Sequence, residues 1–597
     1  MKREILALQK LMKEKRIDAY LIPTSDFHQS EYISDYFKER EYLSGFTGSA
    51  GTLVVTWEKA LLWTDGRYFI QAENELEGSG ICLCKSGEEG VPTVSEFLWD
   101  TLQPGQALAF DGRLIPAAQG LELQQRLDEK QVNIHWNQNL VDEIWKKRPD
   151  LPKRPAYLLE ERYSGKSRAD KLQDVRRVMR QYQTGGHLLT ALDDIAWLLN
   201  LRGSDVAHTP VSLAYLYLSM QDAILYIAPK ALNETAKKEL ADDGIHLRPY
   251  EKIYEELPEL TAEQTVLLDT TYVNYSLYRS LSGSTVHKTN PEKLQKAIKN
   301  PVEIENLLDC HIKDGVAVTQ FMLWLKKNVR KASITELSAA DYLEGCRKKQ
   351  EHYLEPSFHT ISAYREHAAM MHYAATDQSN AALAPEGMLL VDSGGQYLEG
   401  TTDVTRTFVL GPISAEEKLH YTTVVRSMLN LASARFLYGC RGGNLDVLAR
   451  GPLWQLGLDY KCGTGHGVGY LLNVHEGPNG FRWKMEQGID STAVLEEGMV
   501  TTDEPGVYLE GQYGIRIENE LLCREDVKNE YGQFMRFEPL TLVPIDLDGI
   551  DVQYMTGPEI GALNQYHKLV FDRLSPYFAG EELEALRYYT RPLEKKI

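Results

Sequence analysis

Short apolar blocks of strand length punctuate the first part of the chain. Ala19-Tyr-Leu-Ile-Pro23, Thr52-Leu-Val-Val-Thr56 and Ala60-Leu-Leu-Trp63 each read as a strand. Asp65-Gly66 supplies a turn ahead of a helix around Tyr68 to Glu75. A linker rich in Pro and Lys/Arg, Lys146 to Pro155, interrupts the pattern, which then recurs. Helical spacing covers Ala169 to Thr184, the run Ile195-Ala-Trp-Leu-Leu-Asn200 follows, and Ala223-Ile-Leu-Tyr-Ile227 predicts a strand. From Glu303 to Arg330 the residues Leu307, Ile312, Val316, Val318, Phe321 and Leu325 fall on or near one helical face. Beyond Thr360 the chain turns strand-rich and glycine-rich, and an amphipathic helix is expected at Glu581 to Tyr588.

This is an α/β pattern. With 597 residues it exceeds what one core can organise, so several domains are expected. Leu43-Ser-Gly-Phe-Thr-Gly-Ser-Ala50 and Leu199-Asn-Leu-Arg-Gly-Ser-Asp-Val206 hold comparable places in the first two segments, which suggests a duplicated domain. A second boundary falls near Lys299 to Pro301. The formal charge of -20 argues against nucleic acid or an anionic lipid surface as partner. No uncharged run approaches the ~20 residues that span a bilayer, and Met1 to Ile22 lacks the apolar core of a signal peptide. Seven cysteines without paired zinc spacing read as reduced thiols, and a cytoplasmic location is expected.

Two hairpin patterns carry acids. In Met388 to Val409, a turn between Tyr397 and Leu398 would set Asp392 opposite Asp403. In Met499 to Leu522, a turn centred on Gly511 sets Glu504 opposite Glu518. Directly opposed residues share a sheet face at ~5 Å between Cβ atoms, and carboxylates that close repel unless a cation or proton lies between them. Both hairpins contain Tyr-Leu-Glu-Gly, at 397–400 and 508–511. Between them Gly463-Thr-Gly-His466-Gly-Val-Gly469 presents an imidazole on a backbone free to approach closely. Four carboxylates and one imidazole suit two divalent ions, with Mn²⁺ favoured and Co²⁺, Zn²⁺ or Fe²⁺ as competitors.

These residues and the motifs around them resemble the three-domain cytosolic Xaa-Pro aminopeptidases (aminopeptidase P), of the pita-bread fold. The resemblance runs through His28-Gln-Ser-Glu-Tyr32, Ser44 to Gly51, Trp63-Thr-Asp-Gly-Arg-Tyr-Phe69, Ala191 to Asp205 and His311-Ile-Lys-Asp-Gly-Val316. It continues through Val391-Asp-Ser-Gly394, Thr401-Thr-Asp-Val-Thr-Arg-Thr407, Asn473-Val-His-Glu-Gly-Pro478 and Arg516-Ile-Glu-Asn519. It implies two creatinase-type α/β domains, 1–152 and 153–300, and a pita-bread catalytic domain, 301–597, with a C-terminal extension from about 535.

Carried over by position, the resemblance makes Asp392, Asp403, His466, Glu504 and Glu518 metal ligands, with Asp403 and Glu518 serving both ions. It makes His372, His475 and Arg67 substrate contacts, and Arg516 part of the site's polar network. A water shared by two cations would supply hydroxide near neutral pH, with His372 or His475 donating to the oxyanion and Glu504 moving the proton to the prolyl nitrogen. Phe358 and Tyr373 are candidates for the proline pocket. The implied substrates are peptides with proline second, and the implied assembly is a homodimer. A prolidase and a catalytically inactive binding module are the competing readings. One departure stands out: many relatives have histidine four residues before the metal histidine, where this chain has Cys462.

Overall fold

The apolar blocks of the first part form strands because they are buried on both faces. β1 (Ala19–Pro23), β2 (Thr52–Thr56), β3 (Ala60–Thr64), β4 (Cys82–Lys85), β5 (Ala107–Ala109) and β6 (Asn133–His135) make one sheet. On it Tyr20, Ile22, Leu53 and Val55 join one core, while Ala19, Leu21, Val54 and Leu108 join another. A sheet covered on both sides favours continuous apolar runs over strict alternation. The computed structural model describes residues 2–484 and 493–595.

A second sheet repeats the first. β7 (Gly186–Leu189), β8 (Ala214–Ser219), β9 (Ala223–Ile227), β10 (Ile245–Pro249), β11 (Thr265–Leu268) and β12 (Ser284–His287) lie in the order β10-β9-β8-β7-β11-β12, matching β4-β3-β2-β1-β5-β6. Each sheet is antiparallel at the same two junctions and parallel at the other three. The duplication expected from a shared Gly-Ser is therefore a duplication of topology. Residues 1–160 and 166–292 form one compact unit holding both sheets, and 161–165 with 293–597 form another. Inside the first unit, the Asn274 side-chain amide donates to Phe27 O at 2.9 Å, and His28 Nε2 meets the Tyr250 hydroxyl at 2.7 Å.

The second unit opens on the long helix Pro301–Asn328. Asn300 caps it, accepting from the Val302 and Glu303 amides while Glu303 reaches back, as a capping box requires. Its residues Phe321 and Leu325 pack with Leu389, Val391 and Phe408, which come from the antiparallel sheet of Ile361–Tyr364, Met388–Ser393 and Val404–Val409. A four-stranded sheet of Arg435–Leu437, Gly532–Pro539, Asn519–Asn529 and Val500–Asp503 completes the frame. The C-terminal helix Gly580–Tyr589 buries Leu586 in the same core as Val424 and Leu563, so it packs on the body of this unit. Among the described residues no helix is long and apolar enough to cross a membrane.

The first acidic hairpin departs from the expected register. Asp392 pairs with Thr405, and Tyr397 pairs with Gly400, so the turn is Leu398-Glu399 rather than a turn centred one residue earlier. Gly400 decides this: its φ of 146° suits glycine and fixes the residue that must follow the turn. The error is two residues in pairing, an even number, so Asp403 remains on the same face as Asp392, as a diagonal neighbour. The second hairpin keeps the expected register, with Gly506 opposite Arg516 and Asp503 opposite Asn519, which brackets Glu504 and Glu518. The two Tyr-Leu-Glu-Gly segments thus occupy different places about their turns, and their echo is not a structural repeat.

Gly394 lies where the first hairpin changes sheets. A Cβ there would sit 1.8 Å from Thr402 O and 2.2 Å from Ser357 Oγ, and overpacking against backbone costs upward of ~1–3 kcal/mol. Gly394→Ala is expected to lower the unfolding free energy by that order, read as a lower urea midpoint at unchanged m, or to prevent folding. Gly451→Ala, in a helix with nothing within 4 Å of its Cβ, is expected to leave the midpoint unchanged or raise it.

Candidate metal centre

The five expected donors sit where strands end or pairing breaks. Asp392 is near the end of Met388–Ser393, and Asp403 immediately precedes Val404–Val409. Glu504 follows Val500–Asp503, and Glu518 precedes Asn519–Asn529. At these breaks the backbone finds other partners: the Glu518 amide donates to Thr405 O at 3.1 Å and the Glu504 amide to Thr464 O at 2.8 Å. The hairpins are thereby stitched to each other and to the glycine-rich loop. His466 lies on Gly465–His466, and its amide donates to Thr502 Oγ1 at 3.0 Å. The flanking glycines permit this approach, since a Cβ on Gly465 would stand 1.8 Å from Thr502 O and one on Gly467 2.1 Å from Glu476 O.

The result is a continuous set of donors. Asp392, Asp403 and Glu518 form one group of ligand atoms within 4.8 Å of one another; His466, Glu504 and Glu518 form a second; Asp403, His466 and His475 form a third. Glu518, Asp403 and His466 each belong to two groups. The imidazole of His466 has Nε2 3.4 Å from both Asp403 Oδ2 and Glu504 Oε1, and its Nδ1 faces Gly467 O at 2.9 Å. The His475 ring stands edge-on to it, 4.3 Å between centroids.

Positive charge within reach is scarce. Arg516 pairs with Asp392, Nη2 to Oδ2 at 2.5 Å; the same Nη2 donates to Met371 O, Nη1 to the Tyr508 hydroxyl and Nε to Thr405 Oγ1. Asp392 Oδ1 is buried with no hydrogen-bond partner. Burial, then the Asp392 and Glu504 charges, push Asp403 up to about 6 against the relief His466 provides. Burial and the carboxylates of Asp403, Glu504 and Asp392 hold Glu518 well above the usual range. Burial opposes charge on His466, but Asp403 and Glu504 outweigh it and raise the imidazole to about 9. An orphaned buried oxygen and carboxyls raised above their usual range by burial and mutual repulsion are what a donor set made for cations shows. The donor set fits two divalent ions.

The remaining expected residues are spread more widely. His372 is half-buried and lies outside these donor groups, beside Met371, whose carbonyl accepts from Arg516. Tyr373 is buried, with its hydroxyl donating to Glu336 at 2.9 Å; Phe358 is buried too. Arg67 belongs to the first unit and grips Asp65 with two bonds of 2.8 Å. Burial, then Glu504, pushes the Cys462 thiol up to about 12, as an inert filler requires.

Sequence reasoning passed over the side chains that hold this set. Glu520 accepts the Asp403 amide at 2.7 Å and faces His311 Nε2 at 3.3 Å; burial opposes charge on His311, but Glu520 outweighs it and raises its pKa. Two positions beyond Glu518, on the strand that Glu518 leads into, Glu520 was accessible from strand period alone. Arg406 is fully buried and donates to the carbonyls of Glu518, Thr405 and Val543 and to Asn519 Oδ1. Both His311 and Arg406 stand in the motifs noted above, without an assigned role.

Protons and cations compete for the same oxygens, so pH dependence should report the cluster. The stabilising contribution of His466 is complete below its ordinary 6.5 and is lost as pH rises through about 9. Asp403 penalises the folded state increasingly from 3.8 up to about 6 and remains costly above it. The chelated protein should therefore lose thermal stability between pH 6.5 and 9, and Mn²⁺ should flatten the trend. Calorimetric Tm values with chelator and with Mn²⁺ across that range would check this.

Comparison with known proteins agrees with the geometry. Residues 5–143 and 147–303 each match the creatinase/prolidase N-terminal domain, residues 305–525 match metallopeptidase family M24, and residues 533–593 match the C-terminal region of peptidase M24. Aminopeptidase P2 of Arabidopsis thaliana is 39% identical over 97% of this chain and 86% of its own. Xaa-Pro aminopeptidase 1 of Dictyostelium discoideum is 38% identical over 96% of this chain and 93% of its own. The solved X-prolyl aminopeptidase of Caenorhabditis elegans, described as a cytosolic enzyme with a dinuclear active site, superposes with a TM-score of 0.94 at 35% identity, covering 99% of both chains. By descent and by fold, then, this chain belongs to the Xaa-Pro aminopeptidases of metallopeptidase family M24.

Proposed function

We propose that this protein is a two-metal aminopeptidase that releases the first residue of peptides whose second residue is proline. The observation that carries the reading is the set of donor groups joined through Asp403, Glu518 and His466. Asp392, Asp403, His466, Glu504 and Glu518 would hold the two ions, with Asp403 and Glu518 each offered to both, as the resemblance implies. Oxygen-rich ligation favours Mn²⁺ over Zn²⁺, Co²⁺ or Fe²⁺. Two divalent cations held there would supply an acidified water and a Lewis acid for the scissile carbonyl.

The chain's own side chains do the rest. Arg516 fixes the Asp392 carboxylate, and Glu520 fixes the backbone of Asp403. Glu504, 21% exposed where Glu518 is 1% exposed, faces the open side and passes a proton to the leaving prolyl nitrogen. His475, beside His466, and His372 donate to the carbonyl oxygen as its charge develops. Arg67 binds substrate from the first domain. The domains divide at 1–152, 153–300 and 301–597.

The protein works in the cytoplasm as a homodimer on this reading. Val447, Leu448, Trp454 and Leu456 are exposed on or beside the helix Gly442–Trp454, and Trp454 meets exposed Trp483 edge-on at 5.7 Å. Several exposed apolar side chains on one helix support an interface at this place. Trp454→Glu is expected to shift the sedimentation coefficient from dimer to monomer; an unchanged coefficient would remove this surface from the assembly.

After Mn²⁺ reconstitution, Arg-Pro-Pro should be cleaved to Arg and Pro-Pro, with Arg-Ala-Pro left nearly intact. Asp403→Ala should lose about a thousandfold in kcat/KM, equivalent to ~4 kcal/mol of transition-state stabilisation. Similar rates on both tripeptides would end the claim of proline selectivity, and cleavage restricted to the dipeptide Arg-Pro would identify a prolidase.

A further inference from the structure

Glu336 is a fully buried carboxylate at the start of the helix Glu336–Arg347, and the reaction as described gives it no part. Its Oε1 accepts from the Tyr364 amide at 2.7 Å and faces His367 Nδ1 at 2.8 Å. Its Oε2 accepts from the Tyr373 hydroxyl at 2.9 Å and the Ala381 amide at 2.8 Å. Its own amide donates to Ala381 O at 3.0 Å. One side chain thus gathers residues 364, 367, 373 and 381, with the His367 and Tyr373 rings stacked at 4.5 Å.

His372 lies inside that loop. On one side the Met371 carbonyl accepts from Arg516, the partner of Asp392. On the other the Tyr373 hydroxyl is held by Glu336. The segment also lies tight against the second hairpin, where a Cβ on Gly514 would be 1.8 Å from Ala368 O. A histidine between two such anchors has little freedom to drift, and a hydrogen-bond donor a fraction of an ångström out of place loses most of its effect on a transition state.

We propose that Glu336 is a positioning residue for the reaction: it fixes the 364–381 loop so that His372 is held toward the Arg516–Asp392 side of the metal centre. This rests on the two-metal peptidase reading above. Glutamine at 336 keeps an acceptor for one half of the network and turns an N–H donor against another donor in the other half.

The test is a double-mutant cycle on the Mn²⁺-loaded full chain. His372→Ala should cost about a hundredfold in kcat, as loss of an oxyanion donor does. Glu336→Gln should cost about tenfold in kcat with KM changed less than about twofold, because the lost interaction belongs to the transition state. Tyr373→Phe, which removes one hydroxyl, should cost less than Glu336→Gln in the same direction. The double variant Glu336→Gln/His372→Ala should be no slower than His372→Ala alone within about threefold, since both act through one imidazole. Multiplied losses, or wild-type kcat in both Glu336→Gln and Tyr373→Phe, would overturn the role of Glu336. If Glu336→Gln does not fold, the cycle of Tyr373→Phe with His372→Ala decides by the same criterion. Failure of the wild-type enzyme on Arg-Pro-Pro would instead remove the peptidase reading itself.

Discussion

Mutual repulsion of carboxylates in a space that water cannot fully screen is the constraint on which the second unit is built. Asp392, Asp403 and Glu518 offer oxygens within 4.8 Å of one another and are buried. In such surroundings the charged forms are costly unless cations or protons compensate them. Among the described residues the guanidinium ion-paired with the cluster is that of Arg516, held by Asp392. For Glu518 and Asp403 the balance is left to His466, to protons and to whatever cation arrives. The folding cost of the cluster and its affinity for metal are therefore two expressions of one quantity.

Bringing the acids together demands backbone contacts that ordinary side chains would block. The hairpins meet through the Glu518 amide and Thr405 O, and Arg406 holds the carbonyls around that junction from below. Gly465 and Gly467 let the histidine loop lie directly on strand Val500–Asp503 and on Glu476. Glu476 is in turn fixed by Lys299, Nζ to Oε1 at 2.7 Å with both side chains buried. The loop bearing His475 is thus anchored by an ion pair next to it in sequence, as the loop bearing His372 is gathered by Glu336. Precision at the centre is inherited from groups one layer out.

Much of this was legible from the chain because its signals are local. Strands β1, β2, β3 and β9, the long helix and the second hairpin's register follow from periodicity and turn residues. The acids of the first hairpin came out on the right face although the pairing was off by two, because strand period makes an even slip harmless to facing. What stayed hidden is long-range. Nothing near Glu336 says that four groups from residues 364 to 381 converge on it, and nothing near Arg406 says which carbonyls it will meet. The identical strand order of the two sheets was likewise invisible, since it is a property of pairing across distance and the two stretches share few residues. Roles for His372, His475 and Arg67 came from resemblance, because a histidine or arginine in isolation carries no sign of its target.

The structure also separates acids that hold the fold from acids that await a ligand. Asp314 is buried but meets Arg347 through two bonds and the Tyr397 hydroxyl, and although burial pushes its carboxyl up, Arg347 brings it below its ordinary range. Glu336 has four partners, Glu476 has Lys299, and Glu520 has the Asp403 amide and His311. Asp503, adjoining Glu504, is buried with neither oxygen bonded, and burial followed by the Glu504 charge raises its carboxyl well above the usual carboxylate range. The cluster acids are the ones that await a ligand. Beside Arg516 and His466, hydroxyls also donate to these acids, Thr405 to Glu518 and Thr502 to Glu504. Hydroxyls orient a carboxylate without discharging it. An acid that is oriented, buried and still uncompensated is prepared for a cation, and that combination, more than acidity or burial alone, is what distinguishes the metal centre from the rest of the molecule.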